Sequence, residues 1–499
     1  MRSLQGLLGL CLITAGATAC VGASPDESPS TGAEDLPGAR NDAFAKASAT
    51  YHVPREILMA VGHEVSRFEA LSGAVAATPD AAGLASEEAS DAHDNADGYG
   101  VMGLSAAHVT EAAAITSASE DAIRTDIATN IAAGAALLQR YASESGAPAG
   151  SDAAFDAAVV RLFELHDSPE ASALAIEELH GLVTHGFDIT TSDGERLAVD
   201  GSSPFGEQAS LAVGQYPPIQ FIPAASANFS VGRAGGTVKF VVIHDMEGTQ
   251  AGSIAVFQNP ARQASAHYLL RASDGHLVQM VNEANNAFHA GNSFYNHNSI
   301  GIEHEGFADR AGGGGFYTTT QYRVSAQLVC AITRKYGIPI DRAHIFGHGN
   351  VPSSGSGAIC SDAQANAGTC GGASHHHDPG RFWDWNFYLG QIRQACGAAP
   401  PPPNACSVHA DDHRLHCANT GGAAMHSQPN AASAVVNHLR TTFSFFLCWG
   451  SGQKHAGGNT TWYNTIGDDN ASRGWIPAVD LQTTSAFDAN PSAQGLPHC

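Results

Sequence analysis

The stretch TVKFVVIHDMEG, residues 237–248, decides the fold of the central part of this chain. Its apolar and β-branched residues from Val238 to Ile243 are typical of a strand that is buried in a sheet. The apolar run stops at His244, so the imidazole stands where the strand ends. A side chain at the end of a central strand has a rigid support, which suits a metal ligand. We therefore predict a buried strand that presents His244 at the edge of a sheet.

The neighbouring segments predict further elements of the same domain. ASAHYLLRASDGHLVQMV (264–281) has two apolar runs around a Ser-Asp-Gly turn, which is typical of a hairpin. NSIGIEHEG (298–306) and HIFGH (344–348) read as short strands. TTTQYRVSAQLVCAITRKYG (318–337) is typical of a helix with a Thr cap and a terminal Gly. Strands mixed with helices predict an α/β domain with a central mixed sheet, which we place at 226–397.

A second histidine and a carboxylate complete a candidate metal site. His348 ends the strand HIFGH, and in SHHHDPGRFWDW (374–385) the Pro-Gly turn aims the carboxylate of Asp378. Two imidazoles and one carboxylate leave the fourth position of a zinc ion open for water, as hydrolysis requires. The spacings of 104 and 30 residues match no short zinc motif, and the chain has 25 histidines. From the residues alone, a surface or hydrogen-bonded role for each histidine therefore stays open.

Six segments in this order carry a resemblance to a known family: VVIHDMEG, SAHYLLRASDGHLVQMV, FHAG, NSIGIEHEG, GHGNVP and HHDPGRFWDW. Over residues 226–395 the chain resembles the zinc-dependent N-acetylmuramoyl-L-alanine amidases of the type 2 amidase and peptidoglycan-recognition fold. The resemblance implies hydrolysis of the amide bond between N-acetylmuramic acid and L-alanine in peptidoglycan. It also implies a Zn²⁺ cofactor and five site residues: the metal ligands His244, His348 and Asp378, the catalytic Glu303, and His376 as stabiliser of the oxyanion.

Other polar residues of these motifs have more than one interpretation. Glu305 lies two positions after Glu303, hence on the same face of a strand, and competes with it for the catalytic role. Solvated edge positions for both carboxylates are a further alternative, and His304 between them is expected to face away. We predict that three side chains line the substrate groove, with a purely structural role as the alternative: His267, His289 and Asn298.

Eight cysteines lie between positions 330 and 499, and an even number in an exported chain indicates disulfides. Spacing does not fix their connectivity, and free thiols or a cysteine ligand to zinc are the alternatives. Pairing of neighbours predicts four bonds: Cys360–Cys370, Cys406–Cys417, Cys448–Cys499 and Cys330–Cys396. The first would tie the insert 353–374 into a loop at the mouth of the cleft.

The first twenty residues, MRSLQGLLGLCLITAGATAC, have a basic start, an apolar core and small residues at the end, which is typical of an export signal. ATAC also resembles a lipobox that would lipidate Cys20 and attach the protein to a membrane; ordinary cleavage after ATA is the alternative. We expect an exported protein of the outer surface or periplasm. No other apolar run approaches the ~18 residues of a membrane helix. Residues 21–40 are predicted to be a disordered tether.

Residues 41–200 are Ala-rich with helical periodicity, which predicts an all-α domain. YHVPREILMAVGHEVSRFE, GYGVMGL and NIAAGAALL resemble the lysozyme-like fold of lytic transglycosylases. Val65 stands where that family has its catalytic Glu, and Glu64 is one residue off, about 100° around a helix. We therefore favour a degenerate glycan-binding domain over a second active enzyme. The polar stretch DGERLAVDGSSPFGEQ (193–208) is interpreted as a linker, which we place at 201–225.

The Pro-rich stretch at 398–404 predicts a stiff linker, and the short β-type runs of 405–499 predict a small barrel. NAASAVVNHLRTTFSFFLCW, TTWYNTI and RGWIPAVDL resemble a bacterial SH3-like module, which implies binding of wall peptides, with a stabilising role as the alternative.

The charge of the whole chain excludes one class of partner. With 24 Lys and Arg against 48 Asp and Glu, the net charge of −24 repels phosphate backbones, so nucleic acid is not expected. The expected partner is peptidoglycan, and we expect a monomer. A non-catalytic peptidoglycan-binding surface lipoprotein is the alternative function. Non-cutting relatives usually lose a metal ligand, whereas this chain keeps all three.

Overall fold

A computed structural model describes residues 38–73, 98–202, 213–308, 317–373, 375–397, 406–408, 413–439, 443–467 and 472–499. The predicted signal at 1–20, the lipidation site Cys20 and the Pro-rich linker at 398–404 lie outside the described residues. Within the described ranges, no helix has both the length and the apolar composition needed to cross a membrane.

The first region is mainly helical. Its elements are α1 (Ala39–Tyr51), α2 (Arg55–Ser66), β1 (Leu71–Ser72), β2 (Tyr99–Gly100), α3 (Ala106–Thr116), α4 (Glu120–Thr125), α5 (Ile127–Glu144), α6 (Asp152–Leu162), α7 (Pro169–His185), β3 (Gly186–Thr190) and β4 (Arg196–Asp200). At the start of five of the helices, a side-chain oxygen accepts a hydrogen bond from a backbone N–H of the first turn. This N–H group has no hydrogen-bond partner within the helix. The capping residues are Ser105, Ser119, Asp126, Ser151 and Ser168.

The prediction of an all-α region is wrong at its C-terminal end. β3 and β4 form an antiparallel hairpin, and Phe187, Leu197 and Val199 are buried in the helical core. LAVD within the predicted linker 193–208 is therefore a strand. Its apolar residues fold back because the first helices leave apolar surface that needs a cover.

The second region is the α/β domain. Its elements are β5 (Gln220–Phe221), β6 (Phe229–Ser230), β7 (Phe240–Asp245), α8 (Gln250–Gln258), β8 (Tyr268–Leu270), β9 (Leu277–Gln279), β10 (Asn286–Ala287), α9 (Ser293–Asn298), β11 (Ser299–His304), α10 (Thr319–Tyr336), β12 (Ile345–Gly347), α11 (Asp362–Asn366) and α12 (Trp385–Ala395). The predicted hairpin, strands and helix all lie among these elements.

One six-stranded sheet organises this domain, with the strand order β12-β7-β11-β8-β9-β5. β12, β7, β11 and β8 are parallel to one another, and β9 is antiparallel to β8, so the predicted mixed sheet is confirmed. β5 lies within the predicted linker 201–225, which is therefore wrong at its C-terminal end. The strands are apolar on both faces, as the sequence predicts, because both faces are covered. Ile243 and Ile302 pack with α10 and α12, and Leu269 and Val278 pack with α8.

The third region consists of two small sheets and one short helix. Its elements are β13 (Ser407–Val408), β14 (Leu415–Ala418), β15 (Ala423–His426), β16 (Val435–Leu439), β17 (Phe443–Phe446), β18 (Cys448–Ser451), β19 (Thr461–Ile466), β20 (Arg473–Pro477) and α13 (Ser485–Ala489). The sheets have the orders β13-β14-β17 and β16-β15-β20-β19-β18. Phe445 packs edge-on against Phe387 of α12, with ring centroids 5.2 Å apart, so this region rests on the α/β domain.

Four disulfides stabilise the second and third regions, and they coincide with the predicted pairs. They are Cys330–Cys396, Cys360–Cys370, Cys406–Cys417 and Cys448–Cys499.

Candidate metal centre

Three neighbouring parallel strands bring the first site residues together. His244 is the last but one residue of β7 and lies opposite Glu303 of β11, while Gly347 at the end of β12 lies opposite Ile243. Parallel strands end at the same edge of a sheet. His244 and Glu303 therefore share that edge with His348, which directly follows Gly347. The site therefore lies where an α/β sheet commonly places ligands, at the carboxyl ends of its strands.

Asp378 reaches this edge on the turn that precedes α12. Its Oδ2 lies 3.1 Å from His244 Nδ1 and its Oδ1 lies 3.0 Å from His348 Nδ1. The backbone N–H of Gly349 donates to the carbonyl of Asp378 at 2.9 Å, which seats the turn beside β12. Gly347 allows this approach, since a Cβ there would lie 2.6 Å from Cδ of Pro379. The predicted trio is thus assembled from three separate segments.

The donor set fits a zinc ion. One ligand atom from each of His244, His348 and Asp378 lies within 4.8 Å of the others, and all three residues are buried. Burial lowers the pKa of His244 to about 4, so its ring is neutral at pH 7 and has a lone pair for a metal. Burial opposes ionisation of Asp378, but His348 and His244 outweigh it and hold the pKa of this carboxyl well below its ordinary value. Two histidine nitrogens and one carboxylate are a donor set that hydrolytic zinc sites use.

A chain of hydrogen bonds orients the ring of His244. The hydroxyl of Ser299 donates to the carbonyl of Tyr295 at 2.6 Å and lies 3.1 Å from His289 Nε2. His289 Nδ1 in turn lies 3.0 Å from His244 Nε2. Because the Ser299 proton points to Tyr295, His289 donates from Nε2 and accepts at Nδ1 from His244. The lone pair of His244 is then on Nδ1, which faces Asp378. Such second partners fix the tautomer of metal-binding histidines.

The structure separates the two glutamates that compete in the sequence. Glu303 is buried and its Oε1 lies 3.9 Å from His244 Nδ1. β11 ends at His304, so the alternation that would place Glu305 beside Glu303 ends there too. Glu305 instead accepts the backbone N–H groups of Gln250 and Ala272. His304 faces away as predicted, with Nε2 2.8 Å from Ser325 Oγ.

Of the three consecutive histidines, His376 makes a ring contact with a candidate ligand. Its ring stacks on that of His348, with centroids 5.4 Å apart and an interplanar angle of 8°. It is half-buried, whereas His375 is exposed. This placement allows His376 to contact a substrate that lies over the ligands.

The three predicted groove residues are buried, as the candidate metal ligands are, and their groove-lining role stays a prediction. His267 is fully buried, with Nδ1 accepting from the backbone N–H of Gly301 at 3.0 Å. His289 is fully buried behind His244, as described above. Asn298 accepts from the backbone N–H of Thr237 at 3.1 Å and is 6% exposed. Their hydrogen bonds to protein groups are compatible with the purely structural role that the sequence analysis gives as the alternative.

One residue near the centre carries no sequence signal. The Tyr317 hydroxyl lies 2.8 Å from Asp245 Oδ2 and 2.8 Å from the carbonyl oxygen of Pro379. It follows a glycine-rich stretch and belongs to none of the six motifs. Only the folded arrangement brings it under the ligands.

Comparison with known proteins agrees with this geometry. The family model described as N-acetylmuramoyl-L-alanine amidase matches residues 220–381. N-acetylmuramoyl-L-alanine amidase A of Achromobacter lyticus is 36% identical over 177 residues, which are 35% of this chain and 93% of that protein.

Solved structures give weaker likenesses. The hydrolase AmiA of Staphylococcus aureus has a TM-score of 0.27 at 14% identity, over 40% of this chain and 100% of that one. AmpDh3 of Pseudomonas aeruginosa, in complex with anhydromuramic pentapeptide, has a TM-score of 0.23 at 22% identity, over 35% and 64%. The sequence matches therefore carry the comparison.

Proposed function

We propose how this chain works from the premise that it belongs to the N-acetylmuramoyl-L-alanine amidase family. It is accordingly a peptidoglycan amidase, which hydrolyses the bond between N-acetylmuramic acid and L-alanine. Our proposal concerns the finer chemistry: His244, His348 and Asp378 hold a zinc ion, and Glu303 and His376 handle the proton and the developing charge. The observation that carries it is the convergence of three buried ligand atoms beside a buried glutamate.

The residues divide the work of amide hydrolysis. His244, His348 and Asp378 would hold the zinc ion, which when bound would lower the pKa of a water towards ~7 and polarise the substrate carbonyl. Glu303 takes a proton from the attacking water and passes it to the leaving amine, because an amide leaves readily only when its nitrogen is protonated. His376 donates a hydrogen bond to the carbonyl oxygen as negative charge grows on it. His289 and Ser299 keep His244 in the tautomer that binds metal.

The first test compares two histidines in the full-length protein. His348→Ala removes a ligand and should abolish bound zinc and the release of L-alanine-initiated stem peptides, measured by mass spectrometry of muropeptide digests. His344→Ala is the matched control. His344 lies four residues before His348, is half-buried and pairs with Asp341. Chelator treatment of the wild type should reproduce the His348→Ala result. Unchanged cleavage by His348→Ala would refute the site.

The helical region is proposed to bind glycan strands without cutting them. A cleft of about 650 Å³ lies between this region and the α/β domain. Val65 and Ser105 line one side, and Thr249 and Val256 of the α8 segment line the other. The side chain at the wall is thus apolar Val65, while Glu64 is buried and 2% exposed, away from any glycosidic bond in the cleft. Glu64 is therefore not placed to protonate a glycosidic bond in this cleft.

Filling the cleft tests this second proposal. In a His348→Ala background, Val256→Trp should weaken sedimentation with insoluble peptidoglycan roughly tenfold, equivalent to about 1.4 kcal/mol. Lys46→Trp adds the same side chain on the exposed surface of α1 and should bind normally. Equal binding by both variants would contradict a glycan site here. Glycosidic products from the wild type that disappear in Glu64→Gln would instead show a second active enzyme.

The C-terminal region is proposed to be an SH3-like module that binds wall peptides. It also braces the amidase domain, because His416 Nε2 lies 2.9 Å from Asp384 Oδ2 at the start of α12, with both side chains buried. Export through residues 1–20 and lipidation at Cys20 complete the proposal. The mass of the mature N-terminal peptide distinguishes a lipidated Cys20 from ordinary cleavage.

A further inference from the structure

The three ligand-bearing segments are joined to one another pairwise. The segment of His244 and the segment of His348 are joined by the pairing of β7 with β12. The segments of His348 and Asp378 are joined by the backbone hydrogen bond from Gly349 to the Asp378 carbonyl. Both of these connections use main-chain groups, so side-chain substitutions leave them in place.

A side chain joins the remaining pair. The Tyr317 hydroxyl lies 2.8 Å from Oδ2 of Asp245, which directly follows His244, and 2.8 Å from the carbonyl oxygen of Pro379, which directly follows Asp378. One oxygen atom therefore contacts the neighbours of two different ligands. It contacts neither ligand itself, so its effect on a metal passes through the spacing of the two segments.

The position of Tyr317 is set from outside the site. Its side chain is buried, and its ring packs edge-on against Trp383 with centroids 4.9 Å apart. The next residue, Thr318, caps α10 and donates its hydroxyl to the carbonyl of Ala272 at 2.7 Å. The start of α10 thus fixes the position of the Tyr317 hydroxyl independently of any metal. The hydroxyl can therefore set the separation of the two segments that it contacts.

We propose that Tyr317 is a positioning residue that sets the separation of His244 and Asp378 and thereby the affinity for zinc. This inference rests on the proposed function in taking zinc as the bound ion. Removing a partner that hydrogen-bonds a ligand directly lowers metal affinity by roughly 10–100-fold in known sites, and we take this range for Tyr317, which acts one residue away from each ligand. Tyr317 does not touch the substrate position, so its loss affects kcat through metal content and leaves KM unchanged.

The test is a zinc titration of the full-length, metal-stripped protein against a chromophoric chelator. Tyr317→Phe removes only the hydroxyl and should raise the zinc Kd roughly 10–100-fold. Tyr322→Phe is the matched control: its hydroxyl accepts the backbone N–H of Asp384 at 2.8 Å in the same aromatic cluster, with its ring 4.5 Å from Trp383. Tyr322→Phe should lower the Tm of the metal-free protein about as much as Tyr317→Phe does, and it should leave the zinc Kd unchanged.

Each result has one meaning. Wild-type affinity in Tyr317→Phe, or an equal loss in both variants, overturns the positioning role while the proposed zinc chemistry stands. Failure of the wild type to bind one equivalent of zinc overturns the proposed chemistry and this inference together. If Tyr317→Phe does not fold, Asp245→Ala decides the question, because it removes one of the two partners of the hydroxyl. An unchanged zinc Kd in that variant also overturns the inference.

Discussion

Buried carboxyls at two places in this protein have pKa values that are shifted in opposite directions. Asp378 lies between two imidazoles at 3.0 and 3.1 Å, and its pKa lies well below the ordinary value. At the junction of the helical region and the amidase domain, Glu64 and Glu178 lie near Glu305, and burial raises the pKa of each of the three.

The difference comes from the neighbours. Burial disfavours the charged form in both groups. The three junction glutamates share the positive charges of Arg67 and Arg271, which also pairs with Asp274, so the site cannot compensate three ionised carboxylates. Burial alone therefore does not predict whether a carboxyl is a ligand. The low pKa of Asp378 favours the ionised form, which can bind a cation, whereas the raised pKa values of the three glutamates favour the protonated form.

The largest expected effect comes from making the same substitution, a carboxyl to an amide, at Asp378 and at a junction glutamate. Asp378→Asn keeps the size of the side chain but removes the anion, so bound zinc should be lost and amide hydrolysis should fall at least ~10³-fold, since several kcal/mol of charge stabilisation depends on the metal. Glu178→Gln makes the same change at the junction and should leave zinc content and activity intact. Metal analysis measures the zinc content and muropeptide digests measure the activity. Equal losses in Asp378→Asn and Glu178→Gln would contradict the distinction between the two places.

A second, smaller effect tests the choice between the neighbouring glutamates. Glu303→Gln should lower kcat by ~10²–10⁴-fold with zinc still bound, because it removes the group that moves the proton. Glu305→Gln should retain kcat within a few fold, since Glu305 accepts backbone N–H groups of Gln250 and Ala272 away from the ligands. A large loss of kcat in Glu305→Gln alone would reverse the assignment.

The smallest expected effect is the pH dependence of stability at the junction. Burial, with the charge of Glu305, raises the pKa of Glu178 to about 8, so the folded protein keeps a proton that the unfolded chain releases above its ordinary value of 4.5. The free energy of unfolding should therefore fall as the pH rises from about 4.5 to about 8, and then level off. Glu178→Gln retains the contact with Ser273 and should flatten this slope. Thermal unfolding between pH 5 and 9 measures it, and parallel slopes in both proteins would contradict the raised pKa.

The sequence predicts the convergence of the three candidate ligands because each of them stands where a local pattern breaks. The apolar runs end at His244 and at His348, and the Pro-Gly turn follows Asp378. These are local signals, and the order of six motifs adds the family. The spacings between the ligands carry no information, because strand adjacency in the sheet brings them together and not distance along the chain.

Other features depend on tertiary packing and could not be predicted. The rule of alternation groups Glu303 with Glu305, and it fails because β11 ends between them. The burial of His267 and His289 is likewise invisible in their motifs, and whether they line the groove stays a prediction. The β3–β4 hairpin forms from a stretch whose polar residues resemble a linker, because the apolar residues between them have a core to cover.

The Cys330–Cys396 bond has a consequence beyond the folded state. It closes a loop with a sequence separation of 66 residues, and that loop contains both His348 and Asp378. In the chain-entropy model, a loop of this size reduces the freedom of the unfolded chain by about 4 kcal/mol at 25 °C. Two of the three ligands thus keep a high effective concentration with respect to each other even when the protein is denatured. A chain that unfolds with this bond intact therefore has less entropy to lose when these two side chains come together again.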